Sequence, residues 1–232
     1  DLPFQLRAEQ SAGRLGGAFY LTAGRGFAAP DAGPGTPEMK ASAYGITTEE
    51  EARKGVREQI ARKVAFVKIW VDDRNGTVAK LSPALYRAII DEAHKRQTRV
   101  IAHVYYLDDA KDLARAGIDA FAHLVRDREM DDEVIALMKQ RNVLVMPNLG
   151  IAQSRTPAEA PAWLDDSLFK ETTPAAVIDR VRAFYAHRPA QAVEAARKTY
   201  GTMQRSLAKL NAAGVRIGFG ADSGAILDHF HA

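Results

Sequence analysis

The sequence predicts an α/β fold of the barrel type, with parallel strands wrapped by helices. Apolar runs rich in β-branched residues alternate along the chain with amphipathic helical segments. The runs are apolar on both faces, the pattern of parallel strands covered by helices. Four of them carry a reactive group: Lys68 lies inside residues 64–72, while His103, His123 and Asp222 close 99–103, 118–123 and 215–222. In such a barrel the reactive groups lie at the carboxyl ends of the strands, so closure brings these four to one mouth.

The elements follow in order. Residues 1–14 are polar and helical or irregular, and 15–23 read as the first buried strand on their apolar centre. Residues 24–43, rich in glycine and proline, read as a long loop. Thr48 and Glu51 have capping-box spacing and open a helix to about residue 63, which leads into the Lys68 strand. Ser82-Pro83 starts a helix to about residue 97, followed by the His103 strand. A short helix over 109–116 ends at Gly117, a left-handed C-cap, and delivers the His123 strand. A helix over 131–141, a strand over 143–147 and an irregular loop over 148–161 containing Arg155 come next. Helices over 174–186 and 190–213 then precede the Asp222 strand, and the apolar stripe of the second is core packing.

With 232 residues and 47% hydrophobic content, residues 1–232 read as one barrel domain. Lys and Arg number 32 against 29 Asp and Glu, and the basic residues are interspersed with acids. Nucleic-acid and membrane-surface binding therefore gain no support. The absence of cysteine excludes disulfides, thiolate nucleophiles and cysteine-based zinc sites. No run reaches the roughly 18 apolar residues of a membrane span. The chain opens on Asp1 without an initiator methionine, which suggests a start partway through a longer protein and leaves localisation unreadable.

Lys68 demands an explanation, because desolvating an ammonium is costly unless it is paired, neutralised or modified. Taken alone, a snorkelling lysine, hydrogen-bonded core histidines and a capping Asp222 are the simpler readings. Their joint placement on successive strands favours a site. The pairs Asp72-Asp73, Asp108-Asp109 and Asp131-Asp132 read as turn and cap residues, and His94 and His187 as surface residues.

Val67-Lys68-Ile69-Trp70, Ala102-His103, Ala122-His123, Met146-Pro147-Asn148 and Gly220-Ala221-Asp222-Ser223, in this order, resemble the amidohydrolase superfamily, within it the imidazolonepropionase-like and prolidase-like metal-dependent hydrolases. The resemblance implies strands three to eight of a TIM-type (β/α)8 barrel, without the first two βα units and without the small β-sandwich domain. It implies that Lys68 is carboxylated to a carbamate bridging two divalent metals, zinc by default with manganese or cobalt also suited. His103 and His123 would bind one metal and Asp222 the other. The family's His-x-His pair on the first strand has no counterpart; His229 and His231 have the spacing but follow the last strand. The implied reaction is hydrolysis of an amide or cyclic C–N bond by a metal-bound hydroxide, with Asp222 as proton shuttle.

Tyr105, Tyr106, Arg126 and Asn148 follow strand ends and would face a small-molecule substrate, with Arg126 able to clamp a carboxylate. A dipeptide, N-acyl amino acid or imidazolone-like compound fits this expectation. Alternative readings are a Schiff-base lyase using Lys68 and a non-catalytic ligand-binding barrel. An incomplete barrel would leave strand edges that invite homo-oligomerisation.

Overall fold

The computed structural model describes residues 2–35 and 37–222. Six parallel strands form one sheet in the order β2-β1-β3-β4-β5-β6. They are β1 (Gly26–Ala28), β2 (Ala43–Gly45), β3 (Val67–Val71), β4 (Val100–Val104), β5 (Ala120–Ala122) and β6 (Leu144–Met146). The long central pair sets the register, with Val67 opposite Val100, Trp70 opposite His103, and His103 in turn opposite Ala122 on β5. Beyond β6 the chain returns at Ile217, where Val145 donates to the Arg216 carbonyl at 3.0 Å and Gly218 donates back to Val145 at 2.8 Å. The strand predicted over 215–222 is thus a single bridge running into extended backbone.

The helices are α1 (Leu2–Ser11), α2 (Glu49–Ala61), α3 (Pro83–His94), α4 (Leu107–Ala116), α5 (Asp132–Gln140), α6 (Leu149–Gln153), α7 (Ser167–Thr172), α8 (Ala175–Ala186) and α9 (Ala190–Ala212). Their starts follow the cap signals in the sequence. Thr48 and Glu51 form the reciprocal capping box of α2. Pro83 occupies the first position of α3, although the Ser82 side chain makes no cap bond. Gly117 closes α4 at φ 94°, where a Cβ is disfavoured. Among the described residues no helix is long and apolar enough to cross a membrane.

Two expectations fail in the first fifth of the chain. Residues 15–23 form no strand: Phe19 is 81% exposed and Leu21 56%, because no neighbouring element covers them. The strand beside β3 is instead β1, inside the stretch predicted as loop. Its Gly-Phe-Ala sequence is too short for a periodic signal. Gly26 lets the Trp70 ring sit against the backbone, while Phe27 packs on Gly55 of α2, where an added Cβ would lie 2.5 Å from the ring. A 3-10 turn (Pro37–Ser42) then leads into β2, which pairs with the far side of β1 and takes the sheet edge. Farther on, the loop predicted over 148–161 begins as α6, and α7 forms where no helix is expected. His229, His231 and Ser223 lie outside the described residues.

Alternation along the central strands divides the sheet into two faces. Val67, Ile69 and Val71 on β3 and Val100, Ala102 and Val104 on β4 are almost wholly buried in the main core, with α2 to α4 among its contributors. Lys68, Trp70, Ile101 and His103 occupy the opposite, partly buried face, since successive side chains point to opposite sides of a strand.

Outside the sheet, α2 and α3 are tied by a charged cluster around Glu92, which is 5% exposed. Arg57 reaches its carboxylate at 3.0 Å, Arg96 at 2.8 Å and Arg53 at 3.6 Å. Burial pushes the Glu92 carboxyl up, but the Arg57 hydrogen bond and the three guanidinium charges outweigh it and hold the group below its usual range. Glu92→Gln leaves three arginines facing a neutral group and is expected to cost about 1–3 kcal/mol. Urea denaturation checks this: the midpoint should fall while the slope stays unchanged.

Candidate metal centre and substrate mouth

On the inner face of β3 the two-residue period continues past the strand, so Lys68 and Trp70 are followed by Asp72. The Lys68 amine lies 5.5 Å from the centre of a Trp70 ring. Burial pushes its pKa down to about 8, against the opposing pull of the Asp222 charge. An appreciable fraction is therefore the free amine near neutral pH.

His103 is the next inward residue on β4. Its Nε2 lies 3.0 Å from Oδ2 of Asp72, whose Oδ1 accepts the Arg74 backbone N–H at 2.8 Å. With Nε2 engaged by the carboxylate, Nδ1 is the nitrogen left to bind a metal. Burial pulls the His103 pKa down, partly offset by the Asp72 bond, with Lys68 and Arg126 lowering it further. Burial also raises the Asp72 carboxyl, but its bonds to His103 and Arg74 hold it below the usual range.

His123 packs edge-on against His103, with ring centroids 4.7 Å apart and planes at 72°. It is 6% exposed, and its Nδ1 is buried without a hydrogen-bond partner. Its Nε2 lies 3.6 Å from Oδ2 of Asp222. Burial, then the charges of His103, Arg126, Lys68 and Arg155, push its pKa well below the ordinary value. Burial raises the Asp222 carboxyl despite the opposing charges of Lys68, Arg126 and Arg155.

The predicted substrate residues meet on the same side. Arg126 donates its backbone N–H to the Tyr105 carbonyl at 2.8 Å, its guanidinium lies 5.8 Å from the Tyr105 ring centre, and its Nε is buried without a partner. Asn148 precedes α6, and its Oδ1 is buried without a partner beside Gly220, where a Cβ would come within 2.5 Å of it. Tyr106 instead turns to Asp73, donating to it at 2.7 Å. His123, Asn148 and Asp222 all adopt left-handed backbone, with φ of 83°, 49° and 55°. Such conformations are costly for residues with a Cβ and tend to cluster where a site dictates side-chain direction.

Lys68, His103, His123 and Asp222 lie on one side of the sheet, and Tyr105 lies beside Arg126. The Asp72-Asp73 pair reads in the sequence only as a turn, whereas in the structure Asp72 meets the His103 ring. The spacing Lys68, Trp70, Asp72 was the available signal, since it puts Asp72 on the inner face. Among the described residues no group of three or more His, Asp or Glu side chains is arranged to hold a metal unaided. Two neutral imidazoles, an orphaned buried Nδ1 and a neighbouring carboxylate nevertheless fit a divalent ion, provided Lys68 adds an oxygen donor.

This arrangement defines a partial barrel whose mouth gathers a lysine, two histidines and an aspartate. Residues 15–231 match the amidohydrolase family, and the chain belongs to that family. An uncharacterised protein of Mycobacterium tuberculosis is 33% identical over 119 residues, 49% of this chain and 31% of its own length. Ochratoxinase from Aspergillus niger is 28% identical over 110 residues, 45% of this chain and 22% of its own length. The chain thus matches about a third or less of these curated relatives. Among solved structures, A. niger ochratoxinase superimposes with a TM-score of 0.68 at 18% identity, over 95% of this chain and 50% of that one. A putative prolidase from Bifidobacterium longum gives 0.67 at 24%, over 94% and 48%. A Xaa-Pro dipeptidase gives 0.66 at 18%, over 96% and 52%. These likenesses establish the fold.

The depressed histidine pKa values have a stability consequence. Unfolding returns both rings to about 6.5, so the unfolded chain binds protons first as the pH falls. Their contribution is full above that value and declines below it, down to the depressed folded values. Denaturation of the metal-free protein between about pH 8 and pH 5 should show this loss, and His123→Asn should flatten it.

Proposed function

We propose that this protein hydrolyses an amide or cyclic carbon–nitrogen bond in a small molecule at a divalent metal centre. The observation that carries this reading is the convergence of the buried Lys68 amine on the His103–His123 pair and Asp222. In this reading the free amine of Lys68 attacks CO2, a nitrogen–carbon bond forms, and a proton leaves to solvent. The buried cation thereby becomes an anionic oxygen ligand. Lys68 as carbamate, His103 through Nδ1, His123 and Asp222 would hold the metal, with zinc, manganese or cobalt suited to the set.

A bound divalent ion supplies Lewis acidity toward a carbonyl and lowers the pKa of water. The chain's own residues do the rest. Asp72 orients the His103 ring through Nε2. Asp222, beside His123, takes a proton from the attacking water and returns it to the leaving nitrogen. Tyr105, Arg126 and Asn148 line the substrate side.

The substrate expectation is a dipeptide, N-acyl amino acid or imidazolone-like compound. The names of the ochratoxinase and prolidase neighbours agree with a hydrolase. The Xaa-Pro dipeptidase carries methionine in its active site, an amino acid with a free carboxylate. A second reading draws on the Lys68 pKa of about 8, which also suits a Schiff-base amine. Borohydride trapping of a carbonyl compound on Lys68 would favour it.

Elemental analysis of protein purified without chelator should find bound divalent metal, lost in Lys68→Ala. A carbamate signal should appear after 13C-bicarbonate labelling and vanish in the same variant. Protein that stays metal-free with zinc or manganese and bicarbonate supplied would remove the proposal. Asp72→Asn should weaken metal binding by about 10–100-fold while leaving the fold intact.

A further inference from the structure

The Arg74 side chain, on the turn after β3, has no part in the chemistry above. Its two predecessors serve the mouth directly, Asp72 at the His103 ring and Asp73 at the Tyr106 hydroxyl. Arg74 reaches the other way, to the loop that follows β1. Its Nη2 donates to the Gly33 carbonyl at 2.7 Å and to that of Pro34 at 2.9 Å. The backbone beneath it is held in a costly shape, since Arg74 and Asn75 are both left-handed, with φ of 51° and 58°. Hydrogen bonds from a charged donor are stronger than those between neutral groups, so the two carbonyls are firmly held.

The loop so held, residues 29–35, is packed closely for a stretch rich in glycine and proline. Ala29, Ala32 and Pro34 are buried, and Ala32 donates to the Ala29 carbonyl at 3.1 Å. Gly33 has φ 91°, and a Cβ added to it would lie 3.1 Å from that of Ala43 on β2. Ala28, Ala29, Ala32 and Ala43 form a small apolar cluster apart from the main core, and Trp70 and Val78 pack against it. Trp70 stands between Lys68 and Asp72 on the inner face, and the Lys68 amine lies 5.5 Å from the centre of one of its rings. The loop thus rests on Trp70, and Trp70 stands beside Lys68.

We propose that Arg74 is a positioning residue that latches the 29–35 loop against Trp70 and so walls off the Lys68 side of the mouth from bulk water. A loop of small residues buries little apolar area of its own, so its closure depends on the bonds that tie it down. The Arg74 bonds tie it to the very strand that carries Lys68. The purpose of the wall rests on the hydrolase reading: a carbamate loses CO2 when protonated, and excluding water protects it. Truncating the Arg74 side chain leaves its backbone N–H on Asp72, so the Asp72–His103 contact is not what such a variant removes.

The test is amide hydrogen exchange of the peptide covering residues 28–35, together with the rate at which cyanate labels Lys68, both on the metal-free protein and both read by mass spectrometry. Arg74→Ala should speed each by at least about tenfold, the effect of losing charge-assisted bonds from a local opening equilibrium. Peptides from α3 and β4 should exchange as in the wild type, and Arg74→Lys, which keeps a charged donor, should restore part of both rates. Unchanged exchange of the loop, or faster exchange of every peptide, overturns the latch. Faster loop exchange with unchanged labelling of Lys68 overturns the wall. Neither readout needs a metal, so a protein that takes up no zinc or manganese removes the hydrolase reading and leaves the latch to be decided by exchange and labelling.

Discussion

A lysine amine buried on the inner face of β3 is the constraint around which the site is arranged. Its outer neighbours Val67 and Ile69 are committed to the helix-covered core, so the strand cannot rotate to expose Lys68 without exposing them. The period of two that buries valine and isoleucine on one side delivers Lys68, Trp70 and Asp72 to the other. Desolvation then keeps the amine's pKa near 8, and the facing histidines neutral. Neutral nitrogen is the form that binds metals and attacks carbon, so the same burial that destabilises the charges equips the groups for chemistry.

Around that strand the chain holds costly conformations where they aim side chains inward. Three residues with left-handed backbone, His123, Asn148 and Asp222, mark the ends of three neighbouring segments. His123 is held there by its backbone bond to Met146 at 2.8 Å, and Asn148 by the close approach of Gly220. Each such residue stores strain that the surrounding packing must offset. Orphaned polar atoms occur in the same region: Nδ1 of His123, Nε of Arg126 and Oδ1 of Asn148. Unsatisfied buried groups are expensive and rare, and three of the four found among the described residues lie at this mouth, the fourth being Nε of Arg25.

The parts remote from the mouth act through position. The Arg53, Arg57 and Arg96 cluster on Glu92 joins α2 to α3 behind the sheet. The bonds from Tyr185, Arg188 and Arg197 reach across from α8 and α9 to fasten the turn bearing Arg155. Apart from the i,i+4 pair Arg96–Glu92, neither group could be paired from spacing, since the hydrogen-bonded partners are separated by 31 to 41 residues.

Local chemistry in the sequence was enough to recover the alternation of strands and helices, the capping box at Thr48 and Glu51, the αL stop at Gly117, and the placement of His103 and His123 at or just past the ends of β4 and β5. These signals depend on backbone geometry within a few residues. Tertiary structure alone decided that Gly26–Ala28, and not the more apolar 15–23, lies beside β3. A glycine that admits the Trp70 ring and another that admits Phe27 outweigh hydrophobicity when strand and helix must approach closely. It likewise decided that Asp72 meets the His103 ring as well as closing a turn. Such pairings arise from distances between segments, and a linear sequence carries no measure of those distances until the sheet has formed.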